Sequence, residues 1–529
     1  MCHAPRRAVS LADGRAHDLD HWTRRDFMGG LGLGVAGALL GAVPGRAFAA
    51  SPLLPALASL PTDRVLVLVQ LVGGNDGLNT VVPVGNDLYH AARPTLGLTT
   101  AQTLPLAADL RLHGALAPVM PHWETGHLAI VQSVGYANQN LSHFRSTDIW
   151  LSGSDADVVW GDGWGGRALA TLYPDFQTLP PSAPPAVQVG TSEPLLFQAN
   201  DTSYGMSVYD VETFLEIVEG GTPYDPTAVP PTAGGRELAF LRSVANDAFR
   251  YREAIADASA AAPLGTGYAD DDFARTMASV ARLIKGGLDT RVYLVALHGF
   301  DTHADQAGEH AALLASLGAT LSAFFADLAT SNDDQRTLAV TFSEFGRRVD
   351  ENGSGGTDHG AAAPLFVMGP AAVGGLYGPA PDLSDTDADG NLRHAVDFRS
   401  IYASVLTGWL GLDAATTAAV LGQEFPTLPL LSPPVASGPA PTAAFALSAP
   451  RPNPTRGVAR LTLALPSAGD VRLDVYDVLG RRLQTIVDAT VATGTHEVMW
   501  DASRLPAGRY TLRLRSPAGT RSVGATVVR

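Results

Sequence analysis

The sequence predicts an α/β fold with a layered, mostly parallel sheet, followed by a small all-β domain. Three observations support this prediction. Short apolar runs alternate with helix-like stretches between residues 64 and 430, a Pro/Ser/Ala segment occupies 427–442, and short alternating strands follow it. Strands that alternate with helices are typical of a layered α/β sheet. Short strands between Gly, Pro and Asp turns are typical of an antiparallel sandwich.

The first 49 residues are predicted to be an export signal. TRRDFM (23–28) resembles a twin-arginine motif, an uncharged Gly/Ala/Leu run follows at 29–45, and AFA (47–49) offers a small-residue cleavage site. We therefore expect cleavage after Ala49 and the twin-arginine translocase as a partner. A membrane anchor is the alternative, but about 17 glycine-rich residues are marginal for a bilayer that needs roughly 20 apolar ones. No later stretch is expected to be long enough to span a membrane, so no stable transmembrane segment is predicted.

Composition limits the chemistry of the exported chain. The one cysteine, Cys2, lies in the signal, so neither a disulfide nor a cysteine nucleophile is expected after cleavage. The formal charge is −16, and it becomes −18 when the six arginines and four acids of the signal are removed. This acidity disfavours a nucleic-acid partner.

Apolar periodicity locates the elements of the α/β region. Strands are predicted at 65–72, 128–134, 292–297, 337–341 and 365–368, and helices at 235–256, 271–285, 305–328 and 397–410. GDGWGG (161–166) lacks the spacing and the lysine of a phosphate-binding loop. It is interpreted as a turn packed by Trp164, with Arg167 beginning a helix.

The spacing of apolar residues along the sequence changes in the C-terminal part. The segment TLPLLSPPVASGPAPT (427–442) cannot sustain a helix or a sheet ladder and should form a linker. Strands are then predicted at 459–465, 471–478, 496–500, 509–514 and 523–528. The predicted division is a signal peptide at 1–49, an α/β domain at 50–426, a linker at 427–446 and a β-sandwich at 447–529.

Polar clusters follow several of the predicted strands. LVGGNDGLNT offers Asp76, HGFDTHADQ offers Asp301, His303 and Asp305, and FSEFGRR offers Glu344. GTDHG places Asp358 and His359 directly before another strand. Open α/β sheets bind ligands at the carboxyl ends of their strands. The predicted ligands of a divalent ion are therefore Asp76, Asp301, His303, Glu344, Asp358 and His359, and zinc, manganese, magnesium and calcium are all compatible with them. For each residue alone, a turn or a helix cap is the alternative.

The C-terminal motifs carry a specific resemblance. PNPTRG (452–457), VYDVLGRRL (475–483) and WDASRLPAGRYTLRL (500–514) resemble the C-terminal sorting domain of type IX secretion cargo. That domain is similar to the immunoglobulin-like modules of the flagellar hook cap. The resemblance implies an immunoglobulin-like sandwich, a partnership with the type IX secretion machinery, and release from or attachment to the cell surface. A sandwich that binds glycan or acts as a spacer is the alternative.

The α/β region resembles the bacterial family named domain of unknown function 1501. LVGGNDGLNT, NQNLSHFRSTDIWLSG (138–153), GWGGRAL, HGFDTHADQ, TFSEFGRRVDENGSGGTDHG and DFRSIYASVLTGWLG carry this resemblance in order. The family is more remotely similar to the alkaline phosphatase, sulfatase and phosphoglycerate mutase superfamily. The resemblance implies a three-layer α/β/α sandwich of alkaline phosphatase-like type with a metal centre at the strand ends.

The superfamily pattern fits some ligand positions better than others. Asp76 is implied as the best ligand candidate, and Asp301 and His359 also fit. His303 stands two residues after Asp301, where the superfamily spacing is wider. Phe345 stands after Glu344 where the superfamily has a histidine, so the resemblance leaves a complete two-metal site in doubt and a single ion open.

The resemblance also implies a nucleophile at the start of a helix. Ser142 occupies that place, and metal coordination would lower the pKa of its hydroxyl. Arg145 would clamp an oxyanion, and Ser146 is a further candidate because the alignment can slip by a few residues. A helix cap is the alternative role for Ser142. Ordinary sulfatase chemistry is not expected, because Ser142 lacks a Ser-x-Pro-x-Arg context and the exported chain has no cysteine.

These features predict an exported, metal-dependent hydrolase of phosphate or related esters. It is expected to reach the periplasm and then the cell surface or the extracellular space, where an anionic ester or a polysaccharide would be its substrate. One alternative is a non-catalytic surface protein that binds polysaccharide or protein partners and keeps a structural ion. The other is a sulfohydrolase or phosphomutase-like enzyme acting on extracellular polymers.

The export assignment gives a first prediction. Arg24→Lys with Arg25→Lys should leave precursor in the cytoplasm, because lysine lacks the fork geometry of the guanidinium group. Cell fractionation followed by immunoblotting measures this. The matched control is Arg6→Lys with Arg7→Lys, which changes the other arginine pair of the signal and should be exported normally. Normal export of the Arg24/Arg25 variant would exclude the twin-arginine pathway.

Overall fold

The computed structural model describes residues 63–432 and 445–529. Short gaps within these ranges are at 108, 179, 191–194, 209–210, 220–223, 226–227, 467–468 and 492–493. The predicted signal peptide at 1–49 lies outside the described residues, as does most of the predicted linker. The chain divides into two compact units, Met1–Pro433 and Pro434–Arg529.

The first unit contains a central sheet with smaller ribbons around it. Its strands are β1 Val65–Val72, β2 Val81–Val82, β3 Thr103–Ala107, β4 Leu110–His113, β5 Leu128–Gly135, β6 Ala186–Val189, β7 Gln198–Ala199, β8 Thr202–Ser203, β9 Gly205–Val208, β10 Val292–His298, β11 Thr337–Phe342, β12 Gly346–Glu351, β13 Thr357–Gly360, β14 Ala363–Met368, β15 Gly375–Tyr377 and β16 Val396–Asp397. The central sheet has nine strands in the order β15-β5-β14-β11-β1-β10-β6-β9, with β16 also paired to β5.

Helices surround this sheet. They are α1 Gly77–Thr80, α2 Asp87–Ala92, α3 Met120–Glu124, α4 His143–Ser152, α5 Trp164–Leu172, α6 Val211–Glu219, α7 Ala233–Ala261, α8 Asp272–Lys285, α9 Gln306–Ala329, α10 Phe398–Gly408 and α11 Ala414–Leu421. Short 3-10 turns lie at Thr100–Gln102, Gly114–Val119, Leu195–Phe197 and Asp333–Arg336.

The sheet separates two hydrophobic layers. Val65, Val67 and Val69 of β1 pack into a core with α8 and α9. Leu66 and Leu68 of the same strand pack into a second core with α4, α5 and α10. Successive strand residues point to opposite faces, so this alternation places helices on both sides of the sheet. The predicted α/β class and its three layers are confirmed.

Strand direction brings several chain ends to one edge of the sheet. β1 is parallel to β10 and β11, whereas β14 is antiparallel to both β11 and β5. The carboxyl ends of β1, β5, β10 and β11 therefore lie at the same edge as the amino end of β14. The sheet is thus mixed, because β14 returns against its neighbours.

Helix α9 corrects one expectation. It is long and apolar enough to cross a membrane by length and composition, although no stretch after the signal was expected to be so. Half of its most apolar window is buried within the protein. Leu314, Leu317 and Leu321 pack in the first core, so α9 makes the contacts of a core helix.

The segment GDGWGG also differs from its interpretation as a turn. Helix α5 begins at Trp164, and Arg167 is its fourth residue instead of its first. Trp164 is buried, as expected. A Cβ at Gly166 would lie 2.3 Å from the backbone oxygen of Gln198, so glycine lets the helix begin against a neighbouring strand.

The second unit is an antiparallel β-sandwich, as predicted. Its strands are β17 Ala446–Leu447, β18 Val458–Leu465, β19 Gly469–Tyr476, β20 Arg482–Val491, β21 Gly494–Asp501, β22 Gly508–Ser516 and β23 Gly519–Val527. They form a three-stranded sheet, β17-β18-β21, and a four-stranded sheet, β20-β19-β22-β23. Both sheets contribute to one core around Trp500. Strand β20 was not predicted, because an edge strand needs few buried apolar residues.

Candidate metal centre

One buried arginine organises the sheet edge where the strands end. The guanidinium of Arg347 donates to the carbonyl oxygens of Gly74 at 2.8 Å, Phe300 at 2.9 Å and Thr357 at 2.8 Å, and also to that of Gly73. It further donates to the carboxylate of Asp301 at 2.8 Å. The loops after β1 and β10 and the start of β13 are therefore fixed by one fully buried side chain.

Three imidazoles meet the Asp301 carboxylate. Oδ1 of Asp301 lies 3.1 Å from Nε2 of His359 and 3.1 Å from Nε2 of His303. Oδ2 lies 3.4 Å from Nε2 of His143. The two Nε2 atoms of His303 and His359 are 3.0 Å apart. Among the described residues, the set His143, Asp301 and His359 has the spacing of a group that can hold a metal ion.

The outer nitrogen of each histidine faces an oxygen acceptor. Nδ1 of His143 lies 2.9 Å from Oε1 of Glu344, and Nδ1 of His359 lies 2.9 Å from the carbonyl oxygen of Leu141. Nδ1 of His303 lies 3.3 Å from Oδ1 of Asp358. A carbonyl or carboxylate oxygen accepts a hydrogen bond, so the tautomer with its proton on Nδ1 fits each of these three contacts. In the neutral rings, each Nε2 then directs a lone pair toward Asp301.

A positive charge between these atoms, from a metal ion or from a proton on an imidazole, stabilises this convergence. Without one, the Nε2 lone pairs of neutral rings would face each other and a carboxylate at about hydrogen-bond distance, which is repulsive. In a tetrahedral zinc site with bonds of roughly 2.0–2.1 Å, the ligand atoms are separated by about 3.3 Å. Four separations between these atoms, 3.0–3.4 Å, are close to that spacing, and the ligand atoms of His143, Asp301 and His359 all lie within 4.8 Å of one another.

The environment holds the carboxylate in its ionised form. Partial burial raises the pKa of Asp301, but the hydrogen bonds with Arg347 and His359 and the nearby positive charges together outweigh it, and the pKa falls to about 2. The hydrogen bond to Glu344 raises the pKa of His143, whereas burial lowers the pKa of His359. Asp301 is therefore an anion over the whole physiological range, as a metal ligand must be.

Glu344 supports the cluster from behind. Its Oε1 accepts from the backbone N–H of Gly73 at 2.8 Å as well as from His143. Its Oε2 is buried and has no hydrogen-bond partner among the described residues. Phe345 packs against the rings of His143 and His359. Glu344 thus orients a histidine, which is the usual place of a carboxylate behind a metal-binding imidazole.

The predicted ligands divide into three groups. Asp301, His303 and His359 are brought together directly. Glu344 and Asp358 lie one step further out, each behind a histidine. Hydrogen bonding to Asn352 lowers the pKa of Asp358, which keeps this outer carboxylate ionised.

Asp76 does not join the cluster. It is fully buried and forms an ion pair with Arg93 at 2.5 Å, and Gln306 also donates to it. It also caps α1 through the backbone N–H of Asn79. Burial opposes ionisation, but Arg93 lowers the pKa of Asp76 below its usual value. The positive charge that balances the Asp76 carboxylate therefore comes from the Arg93 guanidinium, in the place where a metal ion was predicted.

The three candidate catalytic residues lie in different surroundings. Ser142 is exposed and stands at the N-cap of α4, but its side chain makes no capping hydrogen bond. Arg145 donates to the carbonyl oxygens of Ala156 at 3.3 Å and Val158 at 2.6 Å, so it ties down a loop instead of facing the cluster. Ser146 is completely buried and donates to the carbonyl oxygen of Glu344, which does not suit a nucleophile.

His143 was not among the ligands predicted from the sequence. It lies between Ser142 and Phe144 in the motif NLSHFRS, and it is the first residue of α4 after the carboxyl end of β5. A histidine so close to a strand end was available as a signal, because the same rule selected the other ligands. Arg347 and Arg93 were also missed, because an arginine in a sequence gives no sign of burial.

Two family models match separate parts of the chain. Residues 231–428 match the model described as protein of unknown function DUF1501. Residues 451–527 match the model described as secretion system C-terminal sorting domain. Both resemblances predicted from the motifs are confirmed over these residues. No curated protein matches the chain.

Several solved structures match parts of the chain. PorZ, a surface component of the type IX secretion system of Porphyromonas gingivalis, is 24% identical over 18% of this chain, with a TM-score of 0.13, and the match spans 13% of PorZ. Alkaline phosphatase from the Antarctic bacterium TAB5 is 11% identical over 60% of this chain and 95% of its own, with a TM-score of 0.27.

Phosphonate monoester hydrolase from Silicibacter pomeroyi is 11% identical over 88% of this chain and 89% of its own, with a TM-score of 0.31. These TM-scores are too low for the likenesses to indicate the chemistry of this chain. Its chemistry is inferred from its own side chains.

The buried pair gives a second prediction. Arg93→Met should lower the free energy of unfolding by about 3–5 kcal/mol, because it leaves the Asp76 carboxylate buried without its cation. The lowered pKa of Asp76 means that the pair stabilises the protein above the ordinary pKa of 3.8 and loses this effect as the pH falls. The deficit should therefore shrink in acid. Denaturant unfolding at several pH values measures it.

The control is Arg393→Met, which removes an exposed arginine paired with Asp385. Its cost should be about 0–1 kcal/mol. An equal loss in both variants, or a deficit that does not change with pH, would contradict the role assigned to Arg93.

Proposed function

We propose that this chain, with its DUF1501 match at 231–428 and its sorting-domain match at 451–527, is an exported hydrolase of phosphate or related esters that uses one divalent metal ion. One observation carries the proposal. The Nε2 atoms of three histidines converge on the Asp301 carboxylate, with every Nδ1 turned outward to an acceptor. Such an arrangement orients imidazole ligands before the ion binds.

The donor set favours a borderline metal. His143, His303 and His359 offer nitrogen, and Asp301 offers oxygen. Imidazole nitrogen suits zinc and its neighbours among the transition metals, whereas magnesium and calcium prefer sites built from oxygen. Of the four ions compatible with the sequence, zinc fits these residues best, and manganese is the next choice.

The cluster is open to solvent, as a catalytic site must be. The side chains of Asp301 and His303 are 49% and 45% exposed, and those of His143 and His359 are 32% and 22% exposed. When bound, a divalent ion here would polarise an ester oxygen and lower the pKa of a nearby hydroxyl group or water, provided that it takes a fifth ligand or that one of the four side chains leaves a position open. Glu344 and Asp358 hold the histidines in the required tautomer.

Ser142 is the proposed nucleophile. Ser142 directly precedes His143 in the chain, and it is exposed. Among the described residues, the Ser142 hydroxyl forms no hydrogen bond. In particular, it does not form the capping bond to the helix that a purely structural role would require. Attack by its oxygen on phosphorus would displace the leaving alcohol and give a phosphoserine, which water would then hydrolyse.

The sorting-domain match indicates export to the cell surface or the extracellular space. We propose that the twin-arginine pathway carries the chain across the inner membrane and that type IX secretion carries it across the outer membrane. A metal held by side chains from three separate segments of the fold is compatible with that order, because twin-arginine export transports folded proteins.

A non-catalytic, ion-binding surface protein is the second candidate, and one observation favours it. Nη2 of Arg145 donates to carbonyl oxygens of the loop that follows α4, and Arg347 is fully engaged by backbone oxygens and Asp301. Among the described residues, Arg347 is therefore not available to clamp an anionic ester, and Arg145 is directed to a loop. Turnover measurements distinguish the two candidates.

Metal content provides the third prediction. Protein exported natively should contain about one zinc or related ion per chain, and His359→Asn or Asp301→Asn should remove it and lower the melting temperature, because native-state binding energy is lost. Elemental analysis and thermal unfolding measure both effects. Asp385→Asn, an exposed acid outside the cluster, and Asp76→Asn should both retain the ion. Metal content near zero in the wild type, or unchanged in an Asp76→Ala/Asp301→Ala double variant, would contradict the site.

The nucleophile provides the fourth prediction. Ser142→Ala should abolish turnover of activated phosphate esters while metal content and melting temperature stay close to wild type, because only the attacking oxygen is removed. Ser146→Ala should instead cost about 1 kcal/mol of stability, because it loses a buried hydrogen bond. Thr147→Ala is the neighbouring control and should retain activity.

Two results would overturn this assignment. Retained turnover in Ser142→Ala would leave the hydrolase without its proposed nucleophile. A wild type that hydrolyses no phosphomonoester, phosphodiester or sulfate ester, after loading with zinc, manganese, magnesium or calcium in turn, would favour the non-catalytic candidate.

A further inference from the structure

The two parts of the chain carry opposite net charges. Residues 50–446 contain 18 lysines and arginines and 42 acids, a formal charge of −24. Residues 447–529 contain 12 arginines and 6 acids, a formal charge of +6. An acidic unit of this size is repelled by anionic polymers, whereas a basic unit is attracted to them. The positively charged sandwich is therefore the part of this chain that is attracted to an anionic surface.

Several of these arginines lie on one face of the four-stranded sheet. Arg472 of β19 is directly opposite Arg515 of β22, and Asp474 is opposite Arg513. Residues directly opposite each other in a sheet share a face. Arg482 of β20 reaches the same face, because its guanidinium lies 4.0 Å from the Asp474 carboxylate. We call Arg472, Arg482, Arg513 and Arg515, with Tyr476, the arginine face.

Asp474 neutralises one side of this face. Its side chain is only 2% exposed, and it accepts hydrogen bonds from Thr485 at 2.7 Å and from Arg472. Burial opposes its ionisation, but these hydrogen bonds outweigh that effect and lower the pKa of Asp474. Arg472 also pairs with Asp488 at 3.1 Å. The two acids of the face are thus committed to Arg472 and its neighbour Arg482.

Arg513 and Arg515 remain without a carboxylate partner within the described residues. The guanidinium of Arg513 lies 5.0 Å from the centroid of the Tyr476 ring, and Arg515 donates to the Tyr476 hydroxyl at 3.3 Å. The adjacent strand β23 places Ser522 opposite Arg513 and Thr520 opposite Arg515. Two uncompensated guanidinium groups are therefore held beside an aromatic ring on a flat sheet surface.

We propose that the arginine face binds an anionic polysaccharide. Guanidinium groups form paired hydrogen bonds with carboxylate, phosphate and sulfate groups, and an aromatic ring beside them offers an apolar contact for a sugar. The side chains of the face are polar or aromatic, and the exposed apolar pair Val478 and Leu479 lies in the turn after β19, outside it. The face therefore fits a charged glycan chain better than a lipid surface. This proposal is independent of hydrolase activity.

The test uses the full-length protein and dextran sulfate as the probe, with neutral dextran for comparison. Arg513→Ser with Arg515→Ser should weaken binding to dextran sulfate about tenfold, because two charge-assisted contacts are lost. The matched control is Arg456→Ser with Arg504→Ser, which removes the same charge from exposed loops of the same unit and should change affinity less than about twofold. Both variants should keep the wild-type melting temperature.

Three outcomes would overturn the proposal. If both double variants weaken binding equally, the attraction is diffuse electrostatics. If the wild type does not bind dextran sulfate, the face does not bind an anionic polysaccharide. If the protein binds anionic phospholipid vesicles but not dextran sulfate, the face binds a membrane surface.

Discussion

The contacts of the buried Arg347 guanidinium are the constraint on which the candidate site depends. This one group bonds the carbonyl oxygens of the loops after β1 and β10, that of Thr357 in β13, and the Asp301 carboxylate. These segments are distant in the sequence, and their turns expose carbonyl oxygens that no strand partner can satisfy. A positive charge buried among carbonyl oxygens fixes the turns and leaves one carboxylate, Asp301, ionised at their centre. Lysine has neither the reach nor the planar donors for this role.

The two aspartates that the sequence predicted as metal ligands lie in different surroundings. Asp76 is paired with Arg93, inside the fold and away from solvent. Asp301 is paired with Arg347, but it is half-exposed and also faces three imidazole nitrogens. Among the described residues, one group of possible metal ligands is therefore brought together, while the charge that faces Asp76 is part of the polypeptide. Phe345 packs against the imidazole rings of His143 and His359.

Much of the fold followed from local pattern, because a strand buried on both faces is a continuous apolar run. β1 reads VLVLVQLV and was placed to the residue, and β10, β11 and β14 were found within two residues of their ends. The ligands Asp301, His303 and His359 followed from the strand-end rule. The roles of Asp76, Arg145 and Ser146 could not be predicted in this way, because each depends on a partner far away in the chain or in a neighbouring loop. His143 was not predicted as a ligand, although it directly follows the candidate nucleophile Ser142.

The proposed metal site consists of His143, His303, His359 and Asp301, which together bind one ion. X-ray absorption spectroscopy of the natively exported protein, at the edge of its bound metal, reports ligand type and distance without requiring a substrate. We expect a nitrogen and oxygen shell at about 2.0–2.1 Å with the outer-shell scattering of about three imidazoles. An oxygen-only shell at about 2.3–2.6 Å, as calcium would give, or a spectrum without imidazole scattering, would contradict it.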